Sequence, residues 1–259
     1  MDITSPRNPR VKHLVRLRDD KKARRSDGLM LVEGYDEIQL ALAAGYKPQT
    51  LLSSPELASR PLTLPDVENL TVSRPVFEKI SYRENPDGWL AVFPIPQIKL
   101  DDVTLKGIPL VVVIESVEKP GNLGAILRTA DAAGVDMLLV CDARVDAWNP
   151  NVVRASRGAV FSVPIIECDN ARALEWLKGR KMRLLAASPA GEMEYFRANL
   201  REAVAIAVGT EDAGLSDFWL SNADEILKIP MAGKVNSLNV SVSTALILYE
   251  TLRQRAWNR

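Results

Sequence analysis

Histidine and cysteine are nearly missing from this sequence, and each scarcity closes off a class of chemistry. The two cysteines, Cys141 and Cys168, have no Cys or His neighbour at metal-ligand spacing. That leaves no zinc set and no disulfide framework, as suits a reducing compartment. The single histidine, His13, sits inside a basic stretch, where a Ser-His-Asp triad would have to reach for it. It reads better as a surface residue. No apolar run approaches membrane-spanning length, and the basic N-terminus is not followed by the apolar core of a signal peptide. A cytoplasmic protein without membrane association or bound metal is expected. Gly121 and Gly124 do not form the dinucleotide fingerprint, and no Gly-rich loop runs into a Lys-Ser/Thr pair.

What is present is a large apolar fraction, 47%, against 25% charged residues over 259 positions. This is a globular composition, long enough for one large domain or two modest ones. Formal net charge is zero, but residues 1–25 hold nine Lys/Arg against three acids. A surplus of this kind suggests an anionic partner such as nucleic acid; the plainer reading is a solvated basic helix face.

Taken in order, residues 8–26 read as a basic helix with Val11, Leu14, Val15 and Leu17 on its apolar stripe. A strand at 28–34 and a helix at 35–45 follow. Strands at 50–54 and 69–73, a helix at 75–81 and an apolar strand at 88–95 complete a small α/β unit. Domain boundaries are drawn at 1–96 and 108–259, with a Pro-rich linker at 97–107 between them. Beyond it, apolar strands at 110–116, 136–142, 162–168, 182–188, 203–209 and 225–231 alternate with helices at 122–134, 151–158, 171–179, 215–223 and a terminal helix. Nearly continuous apolar strands separated by helices predict a parallel sheet covered on both faces. Ligands of such sheets bind at the carboxyl ends of strands. The loops at 116–122, 209–215 and 231–237 are therefore the expected functional edge.

Three clusters lie on that edge. In EKPGNLGAILRTADAAG (118–134), Asn122 is a plausible helix cap after Pro120-Gly121, and Arg128 lies off the core face. In VGTEDAGLS (208–216), a strand ends at Gly209, Glu211 follows in the loop, and Ser216 is placed to cap the next helix. In IPMAGKVNSLNVSVSTALILYE (229–250), Ser237 and Asn239 sit where loop becomes helix. Leu238, Val242, Ala245, Tyr249 and Leu252 then recur at four-three spacing, a packing seam on the core side or a subunit interface. Taken singly, each cluster is as easily a capped helix or a loop charge as a site. Spacing alone does not name a reaction.

Together, in this order, the clusters resemble the motifs of the SpoU/TrmH-type RNA 2′-O-ribose methyltransferases of the SPOUT superfamily. NPNVVRASRGAVFSVP (149–164) resembles the family's connecting segment, and ITSPRNPRVKHLVRLR (3–18) with LVEG (31–34) is similar to a ribosomal-protein-like substrate-binding domain often fused in front. The resemblance implies a deep trefoil knot in the C-terminal domain, which general topology rules would not suggest. It implies S-adenosylmethionine held by the backbone at Gly209, Ile229 and Leu238, with Thr210 and Met231 adjacent. It also implies a homodimer. Arg128 is implied as the residue that activates the ribose hydroxyl, with Asn122, Glu211, Ser237 and Asn239 positioning it and the ribose. An arginine stays protonated in proteins, so orienting a phosphate or stabilising an alkoxide is the alternative role. Lys12, Arg16, Arg18 and Arg154 are the expected RNA contacts, with ribosomal RNA favoured over transfer RNA. A catalytically silent RNA-binding protein of the same fold is the competing class. One departure stands out: Asp212 occupies the place where the family motif commonly has glycine.

Overall fold

The structure, a computed structural model, describes residues 2–105, 107–210 and 212–256. It divides into two compact units: residues up to Gln97 together with Asp146–Phe161, and Ile98–Val145 together with Ser162 onward.

The first unit begins with α1 (Pro9–Asp19) and α2 (Lys21–Asp27). The sequence predicts one helix here, but the chain breaks at Asp20. That residue is extended, and its side chain accepts the Lys22 N–H at 2.7 Å, capping α2. Then come β1 (Leu29–Glu33), α3 (Tyr35–Ala43), β2 (Thr50–Ser53), β3 (Glu68–Thr71), α4 (Arg74–Ile80) and β4 (Trp89–Pro94). The sheet runs β1-β4-β2-β3, with β4 antiparallel to both its neighbours and β2 parallel to β3. Val11, Leu14 and Leu17 of α1 pack with Leu52, Phe77, Ile80 and Leu90, the stripe read from the sequence.

The chain next builds β5 (Leu110–Glu115), α5 (Pro120–Ala132) and β6 (Met137–Cys141) of the second unit. It returns to the first for α6 (Pro150–Ala155) and a short 3₁₀ turn at 159–161. There the Phe161 ring meets the Tyr46 ring edge-on, 5.2 Å between centroids. An ion pair ties this excursion down. Arg24 is 1% exposed, and its Nε donates to Asp146 Oδ2 at 2.6 Å. Its NH1 donates to the carbonyls of Leu17 and Arg18. One cation of the basic stretch is therefore a core residue.

The second unit resumes with β7 (Ile165–Cys168), α7 (Asn170–Gly179), β8 (Arg183–Ala187), β9 (Met193–Glu194), β10 (Val204–Val208), α8 (Asp217–Asn222), β11 (Glu225–Lys228) and α9 (Val240–Ala256). Its sheet has seven strands in the order β7-β6-β5-β10-β8-β11-β9, and every pairing is parallel. Successive residues of β5, from Leu110 to Ile114, are all buried. Because alternate side chains leave opposite faces of a strand, both faces of this sheet are covered, as the apolar runs predict. Val111 and Val113 share a cluster with Trp176 of α7 and Trp219 of α8. The two-residue β9 has no counterpart in the sequence reading, being too short to show alternation.

Candidate active site

The carboxyl ends of β5, β8, β10 and β11 surround two adjoining cavities. The first is about 400 Å³, within the range that takes small molecules. Gly209, Thr210, Ile229, Met231 and Leu238 all line it, together with Ser237. These are the residues expected to hold a cofactor, and the fold brings them together from two loops, after β10 and after β11. Asn236 and the segment 187–190 at the end of β8 also line it. Sequence reading missed both, because neither has a distinctive residue pattern.

A hairpin closes this cavity. Thr210 and Gly214 exchange backbone hydrogen bonds, each 3.1 Å, and the Ala213 N–H donates to the Thr210 hydroxyl at 3.0 Å. Gly209 must be glycine for lack of room: a Cβ there would stand 2.0 Å from the Gly214 carbonyl oxygen. Gly214 takes φ +70°, the left-handed turn that glycine allows.

The second cavity, about 380 Å³, is more polar and shares the hairpin as a wall. Asn122, Glu118, Lys119, Asp142 and Arg144 line it. Asn122 is not the cap of α5. The helix begins earlier, at Pro120 after Lys119, and the Asn122 side chain is engaged elsewhere. Asn239 Nδ2 donates to Asn122 Oδ1 at 3.2 Å. Asn239 also accepts from the Ser241 N–H and hydroxyl at 2.9 and 2.6 Å, holding the start of α9. The two asparagines, 117 residues apart, thus meet across the loops.

Glu115 is the residue the sequence reading passes over. It is 5% exposed at the end of β5. Its carboxylate accepts the Ser216 N–H and hydroxyl, both at 2.7 Å, and Asn170 Nδ2 at 2.9 Å. Ser216 takes the cap position of α8 as the sequence predicts, but its hydroxyl faces Glu115 and makes no capping bond to the helix. A buried carboxylate thereby fixes the far end of the hairpin. Its one sequence signal is a carboxylate ending an otherwise apolar strand. Ser116 and Asp142, both at positive φ, hydrogen-bond to each other beside it. Such backbone outliers gather at functional sites.

Arg128 is exposed on α5 and makes no hydrogen bond or ion pair among the described residues. Neither cavity includes it. Glu211 lies outside the described residues, while its neighbour Asp212 is exposed and lines both cavities.

The expected RNA contacts divide. Lys12 and Arg16 are exposed on α1. The Arg18 guanidinium is engaged instead: it donates to the carbonyls of Lys79 and Ser81 at 2.8 and 2.9 Å and pairs with Asp19 at 2.7 Å. It completes the C-terminal end of α4, whose last carbonyls lack helical partners. Arg154 is exposed on α6.

Among the described residues no helix is long and apolar enough to cross a membrane. The terminal seam faces outward, where the core side is one of its two expected placements. Val242 is 47% and Tyr249 53% exposed, while Val240, Thr244, Ile247, Leu248 and Thr251 supply the buried side of α9.

The MRM3-like substrate binding domain model matches residues 8–91, and the SpoU rRNA Methylase family model matches residues 109–249. A 23S rRNA (uridine(2479)-2′-O)-methyltransferase of Streptomyces viridochromogenes is 31% identical, over 99% of this chain and 93% of its own length. A crystal structure of an RNA 2′-O ribose methyltransferase is 42% identical with a TM-score of 0.85, covering 99% of this chain and 100% of that one. The SpoU methyltransferase AviRb of S. viridochromogenes, solved in complex with the cofactor AdoMet, superposes with a TM-score of 0.87 at 28% identity over 96% of this chain and 100% of its own. The motifs at 122–134 and 209–216, and all but the last residue of 229–250, thus fall within a family match that spans more than half of the sequence, and the chain belongs to the SpoU rRNA methylase family.

Proposed function

We propose that this protein transfers a methyl group from S-adenosylmethionine to a ribose 2′-hydroxyl of ribosomal RNA. One observation carries the reading: a single cavity gathers Gly209, Thr210, Ile229, Met231 and Leu238, and the Asn239–Asn122 bond joins the start of α9 to the adjoining cavity. The first cavity suits the cofactor chemically. Leu227, Ile229 and Leu238 offer apolar walls for an adenine ring, and the loops between them offer backbone groups. When bound, the cofactor supplies a methyl group activated by its sulfonium.

The chain's own residues do the rest. The hairpin at 210–214, held by Glu115, separates the two cavities. Asn122 and Asn239 position the ribose in the second, with Ser237 reaching from the first; the family motif gives Glu211 a supporting part. Arg128 offers a fork of donors rather than a base, and it serves by contacting an RNA phosphate or the oxygen as it becomes an alkoxide. The hydroxyl proton then leaves to solvent or to a phosphate oxygen. Lys12 and Arg16 add salt-sensitive attraction for the RNA backbone.

Family membership supports three further parts of this reading: a knotted backbone around the first cavity, a cytoplasmic setting, and a homodimer. The exposed Val242–Tyr249 face of α9 suits the dimer contact. No metal is needed for the transfer so described.

Incubation with total RNA and labelled S-adenosylmethionine, followed by mapping of the modified nucleotide, tests the proposal. Label in ribosomal RNA at one ribose is expected; label confined to transfer RNA, or none, refutes it. Arg128→Ala should abolish transfer while cofactor affinity, measured by calorimetry, stays within about twofold. Equal loss of both would show that Arg128 supports the cofactor cavity rather than the reacting hydroxyl.

A further inference from the structure

A second polar cleft lies wholly within the first unit and includes Arg154, one of the expected RNA contacts. It encloses about 660 Å³. Its most unusual member is Tyr82, in the loop after α4, with 43% of its surface exposed. The backbone beneath the ring is firmly held. The Tyr82 N–H donates to Glu33 Oε2 at 2.7 Å, and the Ser81 hydroxyl donates to Glu33 Oε1 at 2.5 Å. Glu33 itself is 8% exposed. Arg83 donates to the Glu33 carbonyl at 3.0 Å and pairs with Glu37 at 2.8 Å. An exposed aromatic ring on a fastened backbone is a platform, not a frayed loop.

Two cations face the same cleft from the returning segment. The Arg154 guanidinium carbon lies 5.8 Å from the Tyr82 ring centroid. Arg157 lines the cleft with its backbone at φ +52°. That left-handed turn ends α6 and fixes where the Arg157 side chain leaves the backbone. The Arg157 N–H donates to the Arg154 carbonyl at 3.2 Å, and neither guanidinium makes a side-chain hydrogen bond among the described residues, while the Asp36 carboxylate feels the Arg157 charge. The Arg83 and Glu37 charges offset each other, and nearby Asp36 is paired with Arg60 at 2.7 Å, so Arg154 and Arg157 outweigh Glu84 among the residues lining the cleft.

We propose that this cleft binds an unpaired nucleotide of the RNA substrate, its base stacked on Tyr82 beside Arg154 and its phosphate at Arg157. The inference rests on the function proposed above. Aromatic rings and guanidinium planes recognise splayed single-stranded bases, whose faces are hidden in a duplex. Glu84 disfavours a phosphate close to it, but it accepts from an amino group on a base edge; Asn85 beside it both donates and accepts.

The test is binding of a fluorescein-labelled single-stranded RNA heptamer and of a blunt RNA duplex by the full chain. Base stacking is worth about 1–3 kcal/mol per base, so Tyr82→Ala should weaken heptamer binding by about 5- to 150-fold. Tyr82→Phe should remain within about twofold of the parent. Arg157→Gln should reduce the slope of log affinity against log salt by about 0.7. Unchanged melting and unchanged S-adenosylmethionine binding confirm that each variant is folded. Heptamer binding by Tyr82→Ala within twofold of the parent overturns the proposal, as does an equal loss for the duplex or no heptamer binding by the parent. If the parent methylates ribosomal RNA yet these variants bind as it does, the cleft assignment falls and the enzymatic reading stands. If heptamer binding depends on Tyr82 but no RNA gains a methyl group, the reverse holds.

Discussion

Truncating Asp146 should cost the first unit a large part of its stability. In Asp146→Ala the Arg24 guanidinium loses its counter-charge while remaining 1% exposed. Its NH1 bonds to Leu17 and Arg18 survive, but Nε is left without its 2.6 Å acceptor. Breaking one side of a buried pair costs about 3–5 kcal/mol. A whole domain is stable by only about 5–15 kcal/mol, so the loss is a substantial share. Hydrogen exchange followed by mass spectrometry reads it locally: amides of α1 and α2 that open with the unit should exchange faster by at least about 100-fold. Replacing both partners, as Arg24→Met with Asp146→Leu, should recover most of the loss, because a buried pair gains little over apolar packing. The reasoning fails if Asp146→Ala exchanges within about fivefold of the parent, or if the two single changes simply add.

Gly209→Ala should raise the dissociation constant for S-adenosylmethionine at least tenfold, since the added Cβ would stand 2.0 Å from the Gly214 carbonyl oxygen and force the hairpin open; calorimetry giving an unchanged constant would show the hairpin dispensable. Tyr249→Asp places a charge on the exposed face of α9 and should shift the protein towards monomer in sedimentation analysis; an unaltered dimer would move the interface elsewhere. Acid sensitivity has an identifiable contributor. The Arg18 guanidinium hydrogen-bonded to Asp19 holds that carboxyl below the usual carboxylate range. Its contribution is therefore complete above the unfolded-state value and fades as pH falls through the lower folded-state value. The stability gap between the parent and Asp19→Asn should be constant near neutrality and close below about pH 4; a gap that widens with acid would reverse the assignment.

Much of the second unit was legible because its strands are short and uniformly apolar. LVVVIE and VAIAV have few alternatives to central parallel strands, and the polar residues after them had to lie at one edge. The residues proposed to hold the cofactor were suggested by the family motifs rather than by any local rule. Other features depend on partners distant in sequence. Arg24 looks like its neighbours Lys22 and Arg25 until Asp146 is placed beside it. Arg18 reads as surface charge until the carbonyls ending α4 are seen. Residues 146–161 carry Val152, Val153, Val160 and Phe161, an ordinary apolar set that does not specify which unit buries it. Glu115 illustrates the same limit, since a carboxylate ending a strand becomes an anchor only when Ser216 and Asn170 arrive.

The returning segment also bears on how the protein is made. Domains generally fold in order as they emerge during synthesis. Here the first unit cannot finish that way: Arg24 must wait for Asp146, and β5, α5 and β6 are translated between them. Across a separation of 122 residues, a cation destined for burial has no native counter-ion. A ribosome paused before residue 146 would hold a front portion that lacks both this pair and the Arg154–Arg157 side of the nucleotide cleft. The capacity to grip RNA there would thus arise late, after the opening strands of the methyltransferase unit have already been made.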